Sequence, residues 1–171
     1  MSTLAKRILL GLLGVFLVMQ FFRINKTNPP VDDSKDFLKR TNAPVQVTQL
    51  ISTACYDCHS HQTNYPWYTN VAPVSWWIKN HIDEGREHLN FSTWMDYDLK
   101  KRDHKLEECI EEVEEGKMPL DSYTWLHKGA KLDEAQKTML VTWFSSVRNK
   151  SRERIRKKKL PLMPRSKTEK K

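Results

Sequence analysis

Cys55-Tyr56-Asp57-Cys58-His59 is the stretch of this chain that decides its fold. Two cysteines stand three positions apart and a histidine follows the second one, which is the pattern C-x-x-C-H. Such a turn brings together the groups that hold a c-type haem: each thiol forms a thioether with one vinyl group, and the imidazole supplies an axial nitrogen to the iron. The pattern therefore predicts Cys55 and Cys58 as covalent haem attachment sites and His59 as the proximal iron ligand.

Two other chemistries use the same spacing of cysteines. A redox-active dithiol of the thioredoxin type normally lies in a βαβ pattern, which this sequence does not show. A zinc site normally has four protein ligands, and His61 and Cys109 are poor candidates for the second pair. Haem attachment is favoured over both alternatives. Cys109 is expected to be a small buried residue, with an intermolecular disulfide as the alternative.

An uncharged apolar run occupies residues 8–22, between Lys6-Arg7 and Arg23. As a helix it would extend roughly 22 Å, against about 30 Å for the hydrocarbon core of a bilayer. This length fits a signal peptide, or a short anchor whose flanking Lys and Arg side chains reach the lipid headgroups. Because no small-residue cleavage site and no lipobox cysteine follow, the sequence favours an uncleaved membrane-anchor helix within residues 1–23.

The charge of the chain is concentrated at its C-terminal end. Residues 148–171 carry 12 Lys or Arg and two Glu, which is a net charge of +10. Since the whole chain has a net charge of +8, the residues before them have a net charge of −2. We therefore predict four parts: the anchor at 1–23, a linker at 24–43, a folded domain at 44–148, and a basic, disordered tail at 149–171. The tail could attract anionic lipid or an acidic partner protein, whereas nucleic acid is not expected as a partner.

Apolar residues at helical spacing predict four helices in the folded domain. They run from Pro44 into Cys55, from Pro73 to about His88, from Asp103 as N-cap to a stop at Gly116, and from about Asp133 to Val147. A helix that leads into the motif holds both thiols and His59 in one orientation. The backbone carbonyls near Pro66 or Pro73 are candidates to accept the Nδ1 hydrogen of His59.

Met118 is the candidate for the sixth iron ligand. It follows a helix stop, precedes Pro119 and lies 59 positions after His59, which leaves enough chain to reach the opposite face of a porphyrin. A thioether in this position raises the reduction potential of the iron. His81, which borders the apolar face of the second helix, is the distal alternative.

Three further residues are candidates to contact the haem propionates. Arg86, Asn90 and Trp94 follow one another at the end of the second helix and in the loop after it. Charge-assisted hydrogen bonds from such donors would help to neutralise the two carboxylates. The competing interpretation is a surface arginine and a packed tryptophan, and the sequence does not separate the two.

A series of segments, taken in order, resembles the haem-binding domain family of small, single-span bacterial proteins related to cytochrome c. These segments are residues 55–60, 65–68, 73–76, 85–86, 89–92, 118–119 and 127–132. The resemblance covers roughly residues 8–145. It implies an all-α, cytochrome-c-like fold with one haem c held covalently by Cys55 and Cys58, and with His59 as proximal ligand.

Thioethers to haem form outside the cytoplasmic membrane in bacteria, so the expected location is the inner membrane, with one membrane-spanning helix and the haem domain in the periplasm. The favoured function is one-electron transfer between redox partner proteins by a six-coordinate iron. No arrangement of nucleophile and base indicates an enzyme. The alternatives are a haem-based redox or gas sensor or a peroxidase-like centre, each of which needs a labile sixth ligand, and an interaction domain without haem.

Overall fold

The computed structural model of the chain describes residues 2–159, and within that range the secondary structure is entirely helical. Eight α-helices follow one another: α1 Thr3–Met19, α2 Phe37–Thr41, α3 Val45–Ala54, α4 Tyr56–His59, α5 Val74–His88, α6 Leu99–Glu114, α7 Asp121–Thr124 and α8 Glu134–Lys159. Short 3₁₀ segments lie at Trp67–Asn70, Phe91–Asp96 and Lys128–Ala130. The predicted all-α class is confirmed. Within the described residues the chain divides into two compact units, of which the first ends at Met95 and the second begins at Asp96.

Helix α1 contains most of the apolar run and has no buried residue. Its N-cap is Ser2, whose side chain accepts a hydrogen bond from the Ala5 N–H at 3.2 Å. No helix among residues 2–159 is both long and apolar enough to cross a membrane. The membrane anchor expected at residues 1–23 stays a prediction.

Residues 24–43, expected to be a linker, are instead packed into the first unit. Asp36 caps α2 by accepting hydrogen bonds from the N–H groups of Leu38 and Lys39 at 3.0 and 3.2 Å. Phe37 directly follows this cap and is completely buried. The Asn28 amide donates to the carbonyl of Thr63 at 2.8 Å. The polar and proline-rich composition of this segment predicts a linker, but the segment contains a short helix that is capped by Asp36 and buries Phe37.

Helices α3 and α4 carry the C-x-x-C-H motif. Helix α3 begins after Pro44, and its residues Val47, Ile51 and Ala54 are buried, as their spacing predicts. It ends at Cys55, and α4 continues the chain for a single turn that contains the rest of the motif. The predicted helix that leads into the motif is thus confirmed.

Helix α5 has the predicted bounds, but only part of its apolar face is buried. Ile82 is 2% exposed, whereas Val74 and Trp77 are 44% and 50% exposed. Ser75, which the apolar pattern does not include, is buried at 3% exposure. The residues that α5 buries are therefore Ser75 in its first turn and Ile82 at its centre.

In the second unit, α6 and α8 supply the core. The buried side chains are Leu106, Cys109, Val113, Leu140 and Phe144, so Cys109 is a small buried residue as expected. Helix α6 begins one turn earlier than predicted, because Asp98 rather than Asp103 accepts the N-terminal hydrogen bond, from the Lys101 N–H at 2.8 Å.

Helix α8 begins where predicted but extends through Lys159, beyond the expected end at Val147. The reason is visible in the ion pairs: Asp103 on α6 accepts from the Nε atoms of Arg148 and Arg152 at 3.3 and 2.8 Å, and Arg148 also pairs with Glu107. These contacts extend the packing of the two helices into a segment that composition alone predicted to be disordered. Residues 160–171 of the expected tail lie outside the described part of the chain.

Candidate functional site

The C-x-x-C-H motif forms a compact turn of backbone hydrogen bonds. The Cys55 N–H donates to the Ile51 carbonyl at 2.9 Å and so remains part of α3. The Cys55 carbonyl in turn accepts from the N–H groups of Cys58 and His59 at 3.3 and 2.9 Å. Both thiols and the imidazole are therefore attached to one short, hydrogen-bonded stretch of chain.

The ring of His59 is oriented by the end of α5. Its Nδ1 lies 2.8 Å from the Gly85 carbonyl oxygen and 3.1 Å from that of Leu89. Carbonyl oxygens only accept hydrogen bonds, so Nδ1 carries the hydrogen, and the lone pair of the neutral ring lies on Nε2. Burial lowers the pKa of His59, against the opposing effect of the two carbonyls, which also favours the neutral ring. Among residues 2–159, Nε2 has no hydrogen-bond partner and is available to a metal.

The acceptors of His59 differ from those predicted near Pro66 and Pro73. Gly85 lies in the last turn of α5 and Leu89 is its C-cap, and the Gly85 carbonyl also accepts the Leu89 N–H at 2.9 Å. Two carbonyls at the C-terminal end of α5 thus orient the imidazole. Sequence reasoning missed this because the two segments are 26 and 30 residues apart.

Gly85 allows α5 to come this close to the motif. A Cβ atom at this position would lie 3.0 Å from the Cys58 carbonyl oxygen and 3.3 Å from both the carbonyl carbon and Cβ of Cys58. Contacts of 3.0–3.4 Å are tighter than nine in ten Cβ contacts in proteins, so the Cys58 backbone would have to shift by a few tenths of an ångström. Because Gly85 has no side chain, the backbone of α5 can pack directly against the backbone of Cys58.

Aromatic rings pack behind the motif. Phe91 is 1% exposed and stacks on Tyr56, with ring centroids 5.5 Å apart and planes 14° apart. The same ring lies 5.1 Å from Phe37 and 6.5 Å, edge to face, from His59. The proximal histidine candidate is thus supported on one side by carbonyls and on another by a buried phenylalanine.

Tyr56, the first variable residue of the motif, is tied to α2. Its hydroxyl donates to the two carboxylate oxygens of Asp36 at 3.1 and 3.0 Å. Burial, followed by the charge of Asp36, raises the pKa of Tyr56, so the phenol remains protonated. Sequence reasoning missed Asp36 because it was placed in the linker, although an aspartate just before Phe37-Leu38 is a helix-start signal.

Burial raises the pKa of Cys55 to about 12 and that of Cys58 to about 11. The charge of Cys58 further raises the pKa of Cys55, and the charge of Asp57 further raises the pKa of Cys58. The positive charge of Arg86 partly offsets the increase at Cys58. Both cysteines are free of disulfide bonds. At neutral pH the two groups are therefore thiols and not thiolates.

These values predict slow alkylation of the haem-free, folded protein. Because the thiolate is the nucleophile, a pKa of about 11 instead of 9.0 lowers the reactive fraction of Cys58 roughly 100-fold at pH 8. Iodoacetamide labelling followed by mass spectrometry of the peptides should show this ratio between the folded protein and the same protein in urea. The rate should rise tenfold per pH unit up to about pH 11. Equal rates in the folded and unfolded chains would contradict the prediction.

The three candidate propionate contacts already have partners within the first unit. Arg86 donates from Nε to the Ser60 carbonyl at 2.8 Å, and from Nη2 to Asn28 and Thr63, both at 2.9 Å. It therefore connects the loop after the motif to the segment expected to be a linker.

Asn90 and Trp94 also take part in the packing of this unit. Asn90 is 8% exposed and its amide lies 3.0 Å from Nε2 of His61. Trp94 is 3% exposed and packs edge to face on Phe37, so it is the packed tryptophan of the competing interpretation. Contact of any of the three residues with a propionate stays a prediction.

The two candidates for the distal ligand lie in different units. His81 is on α5, where its Nδ1 lies 2.9 Å from the Trp77 carbonyl and its ring is 4.3 Å from that of Trp77. Met118 lies in the second unit, beyond α6. Gly116, with a φ of +70°, ends that helix as predicted, and the Met118 N–H donates back to the Glu112 carbonyl at 3.0 Å.

The residues present fit a covalently attached haem. Cys55, Cys58 and His59 are each half-buried, so all three are within reach of a further group, and Nε2 of His59 is an unpaired donor atom to a metal. Exposed aromatic surface lies in the same unit, with Trp67 77% and Trp77 50% exposed. Among residues 2–159, no three His, Cys, Asp or Glu side chains converge as a metal-ion site.

Comparison with known proteins identifies the family. The sequence profile described as "Haem-binding domain" matches residues 14–146, which is most of the chain and includes the whole motif, Gly85 and Met118. No curated protein and no solved structure matches the chain significantly. A family match over this length, around a motif whose histidine is oriented for a metal, supports haem as the cofactor, and the chain belongs to the haem-binding domain family.

Proposed function

We propose that this protein is a c-type cytochrome that carries one electron at a time between partner proteins in the periplasm. The observation that supports the proposal most directly is the orientation of His59, whose Nδ1 is held by two carbonyls while Nε2 is left for iron. This is the arrangement by which proteins set the tautomer and basicity of a histidine ligand.

Each residue of the motif has a definite role in this proposal. Cys55 and Cys58 hold the haem covalently, and His59 is the proximal ligand of the iron. A bound haem c supplies a metal centre that accepts and releases a single electron. Gly85, Phe91 and the Asp36–Tyr56 pair keep the imidazole in place, so the ligand geometry needs little rearrangement when the charge of the centre changes.

The test of the proposal is the mass of the exported protein. The intact mass should exceed that of the polypeptide by one haem, and the haem should stay with the protein after denaturation in a pyridine haemochrome assay. Cys58→Ala should lose one thioether and change the haemochrome spectrum, whereas Cys109→Ala, a buried cysteine in the second unit, should not. A polypeptide without additional mass would refute the proposal.

Met118 is the proposed distal ligand. Its position is preferred over that of His81, because His81 lies one turn before Gly85 on the helix that backs His59, which is the proximal side. Met118→Ala should abolish the methionine-to-iron charge-transfer band of the oxidised protein and lower the reduction potential. Met139→Ala, an exposed methionine on α8, is the matched control and should keep the band.

The outcomes for the distal ligand are distinct. If the band survives in Met118→Ala, another methionine is the ligand. If the native protein has a bis-histidine spectrum, His81 becomes the candidate. Rapid binding of carbon monoxide by the ferrous native protein would favour a sensor or a peroxidase-like centre over an electron carrier, and would make an enzymatic role worth testing.

We further propose that α1 attaches the protein to the outer face of the cytoplasmic membrane. All ten Leu, Ile, Val and Phe side chains from Leu4 to Val18 are at least 40% exposed, so the apolar surface of this helix lacks a protein partner within residues 2–159. Deleting residues 3–19 behind a cleavable signal peptide should move the haem protein from the membrane fraction to the soluble periplasm. A deletion variant that stays with the membrane would contradict this part of the proposal.

A further inference from the structure

A small cavity lies between the end of α1 and the start of α5, and none of its lining residues belongs to the haem motif. Its volume is about 250 Å³, and it is lined by side chains from residues 20–26 and 69–75. None of the lining residues is acidic. The question is which ligand such a cavity would accept.

Hydrogen bonds hold the two walls of the cavity together. The Gln20 side chain donates to the Ala72 carbonyl at 3.1 Å and accepts from the Ala72 N–H at 3.0 Å. The Trp76 indole N–H donates to the Phe22 carbonyl at 2.7 Å. The cavity is therefore preformed, and a ligand would not have to order its walls.

Two cations line the cavity without a carboxylate partner. Lys26 donates to the neutral side-chain oxygen of Asn70, and no ion pair among residues 2–159 involves either Lys26 or Arg23. An ammonium that is half-buried beside a neutral amide keeps its full charge available to an anion. The charge of the cavity is therefore positive and uncompensated.

Ser75 is the second observation that indicates an anion. It is 3% exposed, it lines the cavity, and its hydroxyl has no hydrogen-bond partner within the described part of the chain. A hydroxyl that lines the cavity without a protein partner can donate its hydrogen to an anion bound there. Ser75 is also the second residue of α5, so it lies at the N-terminal end of that helix.

The backbone groups of both helix ends at the cavity are already paired, so the two cations and the Ser75 hydroxyl are the groups left to hold a ligand. In α5, the N–H groups of Ser75 and Trp76 donate to the carbonyls of Val71 and Pro73. The Gln20 amide donates to the Phe16 carbonyl at 2.8 Å, and the N–H groups of Phe21 and Phe22 donate to the carbonyls of Val18 and Met19. We propose that this cavity binds a phosphate group, supplied either by the headgroup of an anionic phospholipid or by free phosphate. The lipid source rests on the membrane attachment proposed above, whereas neither source depends on the haem.

The test uses the full-length, haem-loaded protein in micelles of a neutral detergent. Inorganic phosphate and short-chain phosphatidylglycerol are titrated separately, with short-chain phosphatidylcholine in parallel, and the signals of the Ser75 amide and the Trp76 indole N–H are followed by nuclear magnetic resonance. We expect saturable shifts. Saturation with inorganic phosphate identifies the free anion as ligand, and saturation with phosphatidylglycerol alone identifies the lipid headgroup.

Variants separate this site from general charge attraction. Arg23→Gln and Lys26→Gln should each weaken binding about fivefold, and Ser75→Ala should weaken it as well. Arg40→Gln removes an exposed cation elsewhere in the same unit and should bind like the native protein. The proposal is overturned if neither compound gives saturable shifts, or if Arg40→Gln weakens binding as much as Arg23→Gln. Haem absorption is measured on the same samples, so a negative result here leaves the cytochrome proposal untouched.

Discussion

Replacing Phe91 by alanine should destabilise the protein by about 4 kcal/mol, the largest loss of stability that we expect from a single change. The Phe91 ring is 1% exposed and contacts both Tyr56 and Phe37. Its removal leaves a cavity that the remaining rings fill poorly, because each of them has its own fixed partners. It also removes the ring that lies edge to face against His59.

Urea unfolding of the haem-loaded variant, followed by circular dichroism, measures this loss. Phe21→Ala is the matched control, since it makes the same chemical change in the same unit at a side chain that is 85% exposed, and it should cost less than about 0.5 kcal/mol. A similar loss in both variants would mean that Phe91 does not hold the core behind the motif.

Gly85→Ala should displace His59 as well as lower stability. The added methyl group would lie 3.0 Å from the Cys58 carbonyl oxygen, a backbone atom that cannot rotate away. Either α5 or the motif must move, at a cost of about 2 kcal/mol. Because the Gly85 carbonyl also accepts the Nδ1 hydrogen of His59, the movement should weaken the orientation of the iron ligand.

Two measurements separate the effect on the ligand from the effect on stability. The absorption and paramagnetic resonance spectra of the Gly85→Ala protein should show an altered axial ligand field, and the yield of covalently attached haem should fall. Gly129→Ala adds the same methyl group at a glycine with nothing within 4 Å of the new atom, so it should keep the native spectrum. Native spectra in both variants would show that the close approach of α5 is not needed to hold the histidine.

The helices adjoining the motif could be predicted from sequence because their signals are local. Pro44 before an apolar period marks the start of α3, Pro73 marks the start of α5, and Gly116 ends α6. In each case one residue with a restricted or permissive backbone stands next to a regular apolar spacing. Covalent haem attachment at Cys55 and Cys58 is predicted from residue type and spacing alone, and it stays a prediction.

Composition was misleading where long-range contacts outweigh local preference. The composition of the residues before Thr41 predicts a linker. In the structure, Asp36 accepts a hydrogen bond from the Tyr56 hydroxyl, 20 residues away, and Phe37 is buried. The basic composition after Val147 predicts disorder. In the structure, Arg148 and Arg152 donate hydrogen bonds to Asp103, which lies more than 40 residues earlier in the chain. A prediction that considers only neighbouring residues cannot include these long-range hydrogen bonds.

The sequence by itself determined which groups could hold a haem: two thiols and one imidazole, spaced for one turn of chain. Only the tertiary structure decided how the imidazole is presented, because the carbonyls that orient it become available where α5 ends, and α5 reaches the motif only at a residue without a side chain. The identity of a ligand follows from chemical valence and local spacing, whereas its orientation depends on which distant backbone atoms the packing brings within hydrogen-bond distance.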